Sequence, residues 1–223
     1  MTNNDLKQIE WEMHAFNEPD LGKQVLRPTD HKAWELLSAD IIKKLQLEQN
    51  VKSILDVGCG NGHLTSLFKD KSEEIFGIDY APSMIEQAKK TIPHGNFLVG
   101  SAELLPFSTS FFSRTICYSI FHYFSDEEQI YKVVDEICRV TSPGGIILIG
   151  DLLDKQYEEY IKNSSDLDVE ANLPTIKRYS EWLFVDLEKI AKYLEKKGNK
   201  TEILEQPAFL PTSSYRKDLK IWK

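Results

Sequence analysis

From residue 51 onwards, short apolar runs alternate with stretches in which apolar residues recur at helical spacing. The runs lack a strict two-residue alternation of apolar and polar positions, which is typical of strands covered on both faces. They are Val51–Val57, Ile75–Ile78, Asn96–Val99, Arg114–Ser119 and Ile146–Ile149, and the helical stretches between them are Leu64–Phe68, Ser83–Lys90 and Ser125–Val140. This order predicts an α/β fold in which helices cover both faces of a doubly wound, mostly parallel sheet.

The helix predicted over Ser125–Val140 has a clear start signal and a clear stop signal. Ser125 followed by Glu128 matches a capping box. The segment 142–145, Ser-Pro-Gly-Gly, predicts that the helix stops there and turns into the next strand.

The flanking segments complete a single domain. Residues 30–47 repeat apolar positions at helical spacing, with Asp30 as the expected N-cap, and predict a helix that packs on the core or covers a ligand. After the core, residues 186–197 predict a helix, and 201–205 and 219–222 predict two closing strands, which brings the sheet to seven. We therefore divide the chain into an N-terminal helical cap (1–50), a ligand-binding core (51–151), an insertion near the acceptor site (152–185) and a closing helix with strands (186–223).

Composition narrows the possible partners. The chain holds 27 Lys and Arg against 35 Asp and Glu, a formal net charge of −8. Since binding to nucleic acid phosphates needs clustered cations, we expect no nucleic acid partner. No apolar run is long enough for a transmembrane helix, so no membrane partner is expected. The three cysteines have no disulfide or metal spacing, which favours reduced thiols and a cytoplasmic location.

The segment Leu55-Asp56-Val57-Gly58-Cys59-Gly60-Asn61-Gly62 carries the most chemical information. A buried strand runs directly into alternating glycines, which let the backbone approach a ligand closely. Dinucleotide-binding enzymes place a third glycine where His63 stands here. A carboxylate at Asp56 would repel a pyrophosphate but attract an ammonium group. The loop therefore suits an amino-acid zwitterion better than a dinucleotide.

Asp79 ends the next predicted strand, about 20 residues after the loop, where an acidic side chain commonly binds a ribose diol. Because dinucleotide enzymes share this feature, it does not distinguish the two ligand classes. The alternative for Asp79 is a purely structural role at the start of the following helix.

Together these segments resemble the class I S-adenosylmethionine-dependent methyltransferases, over roughly residues 50–150. Five segments match in order: 55–62 and 77–89, then GSAELLPF at 100–107, ICYSIFHYF at 116–124 and SPGGIILIGD at 142–151. The pattern is closest to members that act on small molecules. The tetrad of nucleic acid amino-methyltransferases is absent after the fourth strand, where Cys117-Tyr118-Ser119-Ile120 stands.

The resemblance implies S-adenosyl-L-methionine as cofactor and a small molecule as methyl acceptor. It implies that the methionine end lies at the glycine loop, that Asp79 holds the ribose, and that the adenine lies near Met84 and the 101–103 segment. The predicted cofactor-binding residues are Asp56, Gly58, Cys59, Gly60, Asp79, Tyr80, Met84, Ser101, Ala102, Glu103 and Tyr118.

Methyl transfer depends mainly on alignment, and an additional base helps if the acceptor is a hydroxyl. His122, just after the fourth strand, and Asp151, at the end of the fifth, are the catalytic candidates, although either residue has an ordinary structural role as alternative. We expect aromatic faces from Tyr80, Tyr118 and Tyr123 near the sulfonium. Trp11, Trp34 and Trp182 are expected in the core, and lining of an acceptor pocket is the alternative for each. No histidine spacing predicts a metal site.

The predicted function is methyl transfer to an oxygen or nitrogen of a small molecule. Two alternatives remain open: an NAD-dependent oxidoreductase, which the position of His63 disfavours, and a protein that binds the cofactor without turnover.

Overall fold

The structure is a computed structural model that describes residues 3–26 and 31–223. Its centre is one seven-stranded sheet with the order β3-β2-β1-β4-β5-β7-β6. The first five strands run parallel, and β7 pairs antiparallel with both β5 and β6. The strands are β1 Val51–Val57, β2 Ser72–Asp79, β3 Asn96–Val99, β4 Phe112–Tyr118, β5 Thr141–Leu153, β6 Lys200–Glu205 and β7 Arg216–Trp222.

Helices cover both faces of this sheet, as the sequence predicts. Helices α6 and α9 pack in one apolar cluster with the sheet, and α3 and α5 pack in the other. The helices are α1 Asn3–Asn17, α2 Leu21–Gln24, α3 His31–Leu45, α4 His63–Ser66, α5 Pro82–Thr91, α6 Glu127–Val140, α7 Glu158–Ser164, α8 Leu167–Glu170 and α9 Leu187–Lys196.

Strand β1 explains why both faces are buried. Leu55 and Val57 belong to the cluster around α6 and α9, while Ile54 belongs to the cluster around α3 and α5. Neighbouring side chains of a strand point to opposite faces, so an unbroken apolar run is needed where both faces are covered. The predicted α/β fold class is confirmed.

Two details differ from the predicted punctuation. The N-cap of α6 is Asp126 rather than Ser125, and the Asp126 side chain accepts a hydrogen bond of 2.9 Å from the Gln129 amide. The 142–145 segment does not turn: it continues as the first part of β5, although α6 does end at Val140 as predicted. Proline is tolerated there because this part of β5 pairs only irregularly with β4. The predicted N-cap Asp30 lies outside the described residues.

The order of the strands reverses between β1 and β4, since β2 and β3 lie on one side of β1 and the later strands lie on the other. Open α/β sheets bind ligands at such a switch point, beyond the carboxyl ends of the strands. The glycine loop after β1, Asp79 at the end of β2 and Tyr118 at the end of β4 all lie at this edge.

Candidate functional site

A cavity of about 370 Å³ opens at the switch point of the sheet. This volume falls within the range of small-molecule sites, about 300–1,000 Å³. Its wall includes every one of the predicted cofactor-binding residues, which are Asp56, Gly58, Cys59, Gly60, Asp79, Tyr80, Met84, Ser101, Ala102, Glu103 and Tyr118. The fold thus brings together residues from four separate segments of the sequence, and their contact with a cofactor stays a prediction.

The glycine loop is held in a conformation that few other residues adopt. Gly58, Gly60 and Gly62 have positive φ angles of 76°, 51° and 74°. A Cβ atom on Gly58 would lie 2.5 Å from Cγ2 of Ile120, closer than any normal contact. The loop therefore needs glycine at position 58 both for its backbone angle and for space.

Asp79 ties the loop to the neighbouring strand. Its Oδ2 accepts a hydrogen bond of 2.9 Å from the Gly60 amide, and its Oδ1 accepts one of 3.0 Å from the Ala81 amide. Burial nevertheless raises the pKa of Asp79 to about 6. The carboxyl group faces the cavity from the position where the resemblance expects a ribose.

Asp56 lies deeper in the same wall. The Thr65 hydroxyl donates a hydrogen bond of 2.5 Å to Asp56 Oδ2. Burial raises the pKa of Asp56 to about 7, the negative charge of Asp79 adds to this, and the Thr65 hydrogen bond opposes it. A cationic ligand group beside Asp56 would stabilise its ionised form.

The far part of the wall joins helix α1, for which the sequence offers no motif, to the end of the matched 116–124 segment. Helix α1 contributes Lys7, Gln8 and Trp11, and the segment after β4 contributes Tyr123 and Phe124. Trp11 meets the Tyr123 ring edge-on at 5.6 Å. Lys7 and Gln8 escape motif analysis because only tertiary packing brings α1 across the strand ends.

Hydrogen bonds hold α1 on both sides of the cavity. Glu12 accepts bonds of 3.2 Å from the amide of Ser83 at the start of α5. Glu10 accepts bonds from Thr175 and Ile176 in the segment after β5, between 2.6 and 3.1 Å. Helix α1 therefore bridges the side predicted to bind the cofactor and the segment predicted to form the acceptor site.

The three tryptophans predicted in the core lie in three different environments. Trp34 is buried in the cluster with α3 and also lines the cavity, so the core and ligand-cover interpretations of this helix both apply. Trp11 is partly exposed on the cavity wall, because α1 crosses the sheet edge rather than its face. Trp182 belongs to a separate buried cluster with Leu153 and Phe184.

The two catalytic candidates lie behind the described cavity wall. His122 is buried, with its ring 4.1 Å from that of Tyr123 and 4.6 Å from that of Trp182. Asp151 is buried and ion-paired with Arg216, and it accepts a hydrogen bond of 2.5 Å from Ser119, which does line the cavity. Catalysis by either residue stays a prediction.

Two other properties concern the described residues alone. Across 3–26 and 31–223, no group of three or more His, Cys, Asp or Glu residues is arranged to hold a metal ion. In the same part of the chain, no helix combines the length and the apolar character needed to cross a membrane.

Two comparisons of sequence relate part of the chain to methyltransferases. Residues 55–149 match the family model of a methyltransferase domain. The chain is 36% identical over 115 residues to the demethylmenaquinone methyltransferase of Thermotoga maritima, covering 50% of this chain and 48% of that protein. It is 29% identical over 103 residues to the malonyl-[acyl-carrier protein] O-methyltransferase of Serratia marcescens, covering 45% of this chain and 38% of that protein. The chain thus spans less than half the length of these curated relatives.

A solved structure extends the likeness beyond the matched core. The N-methyltransferase NodS of Bradyrhizobium japonicum WM9, in complex with S-adenosyl-L-homocysteine, superposes with a TM-score of 0.70 over 95% of both chains. Since the two sequences are 13% identical, this likeness shows a shared fold.

Proposed function

We propose that this chain, whose residues 55–149 match the family model of a methyltransferase domain, is a class I methyltransferase that transfers a methyl group from S-adenosylmethionine to an oxygen or nitrogen of a small molecule. The observation that carries the proposal is one cavity, at the switch point of the sheet, whose wall joins the glycine loop to Asp79 and to the 101–103 segment. Cofactor and acceptor would meet in this cavity.

The residues on the wall suit the parts of the cofactor in order. Amides of the glycine loop would donate to the methionine carboxylate, and the Asp56 carboxylate would attract the methionine ammonium group. Asp79 would accept hydrogen bonds from the ribose hydroxyls. Met84 and the 101–103 segment, where Glu103 accepts a bond of 2.7 Å from Gln129, would enclose the adenine.

The cofactor supplies an activated methyl group, and the chain supplies alignment. Orientation of two reactants accounts for about 7–11 kcal/mol in well-ordered cases. Tyr118 and Tyr123 present aromatic surface to the cavity, where a cationic sulfonium would be attracted to the ring faces. His122 and Asp151 remain candidate bases for a hydroxyl acceptor, which would require Asp151 to act through Ser119.

The division of the chain belongs to the same proposal. The core at 51–151 would bind the cofactor, the cap at 1–50 and the insertion at 152–185 would shape the acceptor site, and 186–223 would close the sheet. The hydrogen bonds that join α1 to Ser83 and to Thr175 support a joint role of the cap and the insertion in shaping the acceptor site. A cytoplasmic location, inferred from the unpaired cysteines, and a small-molecule acceptor rather than nucleic acid or membrane complete the proposal.

The experiment is isothermal titration of the full chain with S-adenosylmethionine and S-adenosylhomocysteine, with NADH titrated in parallel. We expect micromolar binding of the first two and none of NADH. Tight NADH binding would favour the oxidoreductase instead. Binding without product from panels of hydroxyl, amine and acid acceptors would leave the non-catalytic alternative as the better account.

A further inference from the structure

Lys7 is a buried cation on the cavity wall, and the one carboxylate of the cofactor is already assigned to the amides of the glycine loop. The side chain is 4% exposed, and its ammonium group donates a hydrogen bond of 2.6 Å to the backbone carbonyl of Tyr123. A buried charge is stable only when it is paired or fully hydrogen-bonded. One backbone carbonyl uses one of its three donors.

The carboxylates around Lys7 are engaged elsewhere. Glu10 and Glu181 raise the pKa of Lys7, but burial outweighs them and lowers it overall. Glu10 accepts hydrogen bonds from Thr175 and Ile176, and Glu181 accepts a bond of 2.8 Å from Arg178. Neither glutamate lies within the ion-pair distance of 4.0 Å from Lys7 in the described part of the chain.

Aromatic side chains form part of the same cavity wall as Lys7. Trp11, Tyr123 and Phe124 share the wall with it. Such a site suits an anionic group attached to an apolar body, because the ammonium pairs with the charge and the rings cover the rest.

No carboxylate on the described wall is left over to remove a proton from the acceptor directly, and Asp151 reaches the wall only through Ser119. Asp56, Asp79 and Glu103 are assigned to the cofactor, and burial raises the pKa of both Cys59 and Tyr80 well above neutrality. Within the described wall no histidine is present. An acceptor that arrives already ionised has no need of a base.

We propose that the methyl acceptor is a small carboxylic acid with an apolar body, whose carboxylate is oriented by Lys7 and is itself methylated. This inference rests on the proposed methyltransferase function. One carboxylate oxygen attacks the sulfonium methyl group: an O–C bond forms, the S–C bond breaks, and its electron pair stays on sulfur. The products are a neutral methyl ester and S-adenosylhomocysteine, and no proton is transferred.

The test supplies the full chain with S-adenosylmethionine labelled in the methyl group. The acceptors are straight-chain and aromatic carboxylic acids, each beside its matched primary alcohol, amine and amide. Alkali hydrolyses a methyl ester to volatile labelled methanol, whereas ethers and methylamines are stable. We expect alkali-labile product from acids only. Alkali-stable product from the alcohols or amines, or no ester from any acid while S-adenosylhomocysteine binds, would overturn the inference.

Two variants isolate the role of the cation. Lys7→Met keeps the length of the side chain and removes the charge, and Lys196→Met makes the same change on an exposed face of α9. Loss of a charge-assisted hydrogen bond predicts a KM for the acid raised about 10- to 100-fold in Lys7→Met, with the dissociation constant of S-adenosylhomocysteine nearly unchanged. Equal weakening of both ligands would instead assign Lys7 to the cofactor. Failure of the parent chain to bind S-adenosylhomocysteine would reject the proposed function itself.

Discussion

The cavity wall near the glycine loop and the wall under α1 are built in different ways. At the loop, backbone amides and short side chains at the ends of β1 and β2 make the wall, and the parallel sheet fixes their positions. Under α1, long side chains from residues far apart in sequence make the wall, and hydrogen bonds from Glu10 and Glu12 hold the helix in place. The difference teaches that the first wall suits an invariant ligand, whereas the second is easily adapted to a new acceptor.

The largest effect is expected from Asp79→Ala. The change removes a carboxylate that would bind the ribose and that also receives the Gly60 amide. Two charge-assisted hydrogen bonds at about 1.5–3 kcal/mol each predict binding of S-adenosylhomocysteine weakened about 100-fold or more. Titration calorimetry measures this, with Lys196→Ala as the exposed control. Equal affinity in the two variants would remove Asp79 from the cofactor site.

Gly58→Ala tests the cavity wall near the glycine loop at its most crowded position. The new Cβ would meet Ile120 at 2.5 Å and would also occupy a φ of 76°. Gly144→Ala is a matched control, because Gly144 has a φ of 77° and no atom within 4 Å of the added Cβ. The backbone strain costs about 1–2 kcal/mol in both variants, and the contact adds about 1–3 kcal/mol at Gly58 alone. The melting temperature of Gly58→Ala should therefore lie clearly below that of Gly144→Ala. Similar melting temperatures would show that the loop shifts to accommodate the new methyl group.

The two acids in the cavity wall near the glycine loop, Asp79 and Asp56, predict that stability and ligand affinity depend on pH. Burial raises the pKa values of Asp79 to about 6 and of Asp56 to about 7, both above their ordinary value in an unfolded chain. The folded free protein therefore holds these protons more tightly, and its stability falls as the pH rises from about 4 to 7. The ligand's ammonium and hydroxyl groups bind the ionised form of these two acids. The affinity for S-adenosylhomocysteine should therefore rise as the pH increases over the same range.

A second ligand separates the two carboxyl groups. Adenosine has the ribose but lacks the amino acid, so its affinity should follow Asp79 alone, with a midpoint near the lower pKa, and Asp56→Asn should not alter that profile. Thermal shift measurements between pH 5 and 8 give both curves. Identical profiles for adenosine and S-adenosylhomocysteine would contradict the assignment of Asp56 to the ammonium group.

The smallest effects are expected where α1 is anchored. Glu10→Ala removes three hydrogen bonds to the segment after β5, while Glu12→Ala removes those to one amide of α5. Each variant should lose about 1–3 kcal/mol of the free energy that holds α1 in place, which predicts faster hydrogen exchange across this helix. The increase in exchange rate should be larger for Glu10→Ala than for Glu12→Ala. Exchange mass spectrometry reports it, and Glu159→Ala on an exposed position serves as control. Unchanged exchange would mean that apolar contacts alone hold the helix.

The same contrast explains what could be predicted from the sequence. The glycine loop and Asp79 were found because their roles depend on backbone geometry at fixed places in a βα unit. Lys7 and Gln8 were missed because α1 has only a weak amphipathic pattern, and its position depends on side chains that meet over distances of about 70 to 170 residues, as between Gln8 and Tyr80 or Glu10 and Ile176.

The strand β7 shows a second limit of sequence patterns. Arg216, Asp218 and Lys220 suggest a solvent-exposed face, yet all three are buried. Arg216 pairs with Asp151, and Lys44 pairs with Asp218 at 2.7 Å, so charge pairing allows Arg216 and Asp218 to lie inside the sheet, while the Lys220 ammonium lies 4.6 Å from the ring centroid of Trp222. Pairing of this kind leaves no periodic signal in one sequence.

The placement of α1 also has a kinetic consequence. Gln8 donates a hydrogen bond of 2.7 Å to the Tyr80 carbonyl while Lys7 donates one to the Tyr123 carbonyl, so one helix spans the strand ends from β2 to β4. Under the proposed function, a cofactor seated beneath α1 would exchange only when the helix lifts, and the acceptor would enter the cavity after the cofactor is in place. Turnover should then be sequential and ordered, with the methyl donor first on and its demethylated product last off, and that product should inhibit competitively against the donor alone.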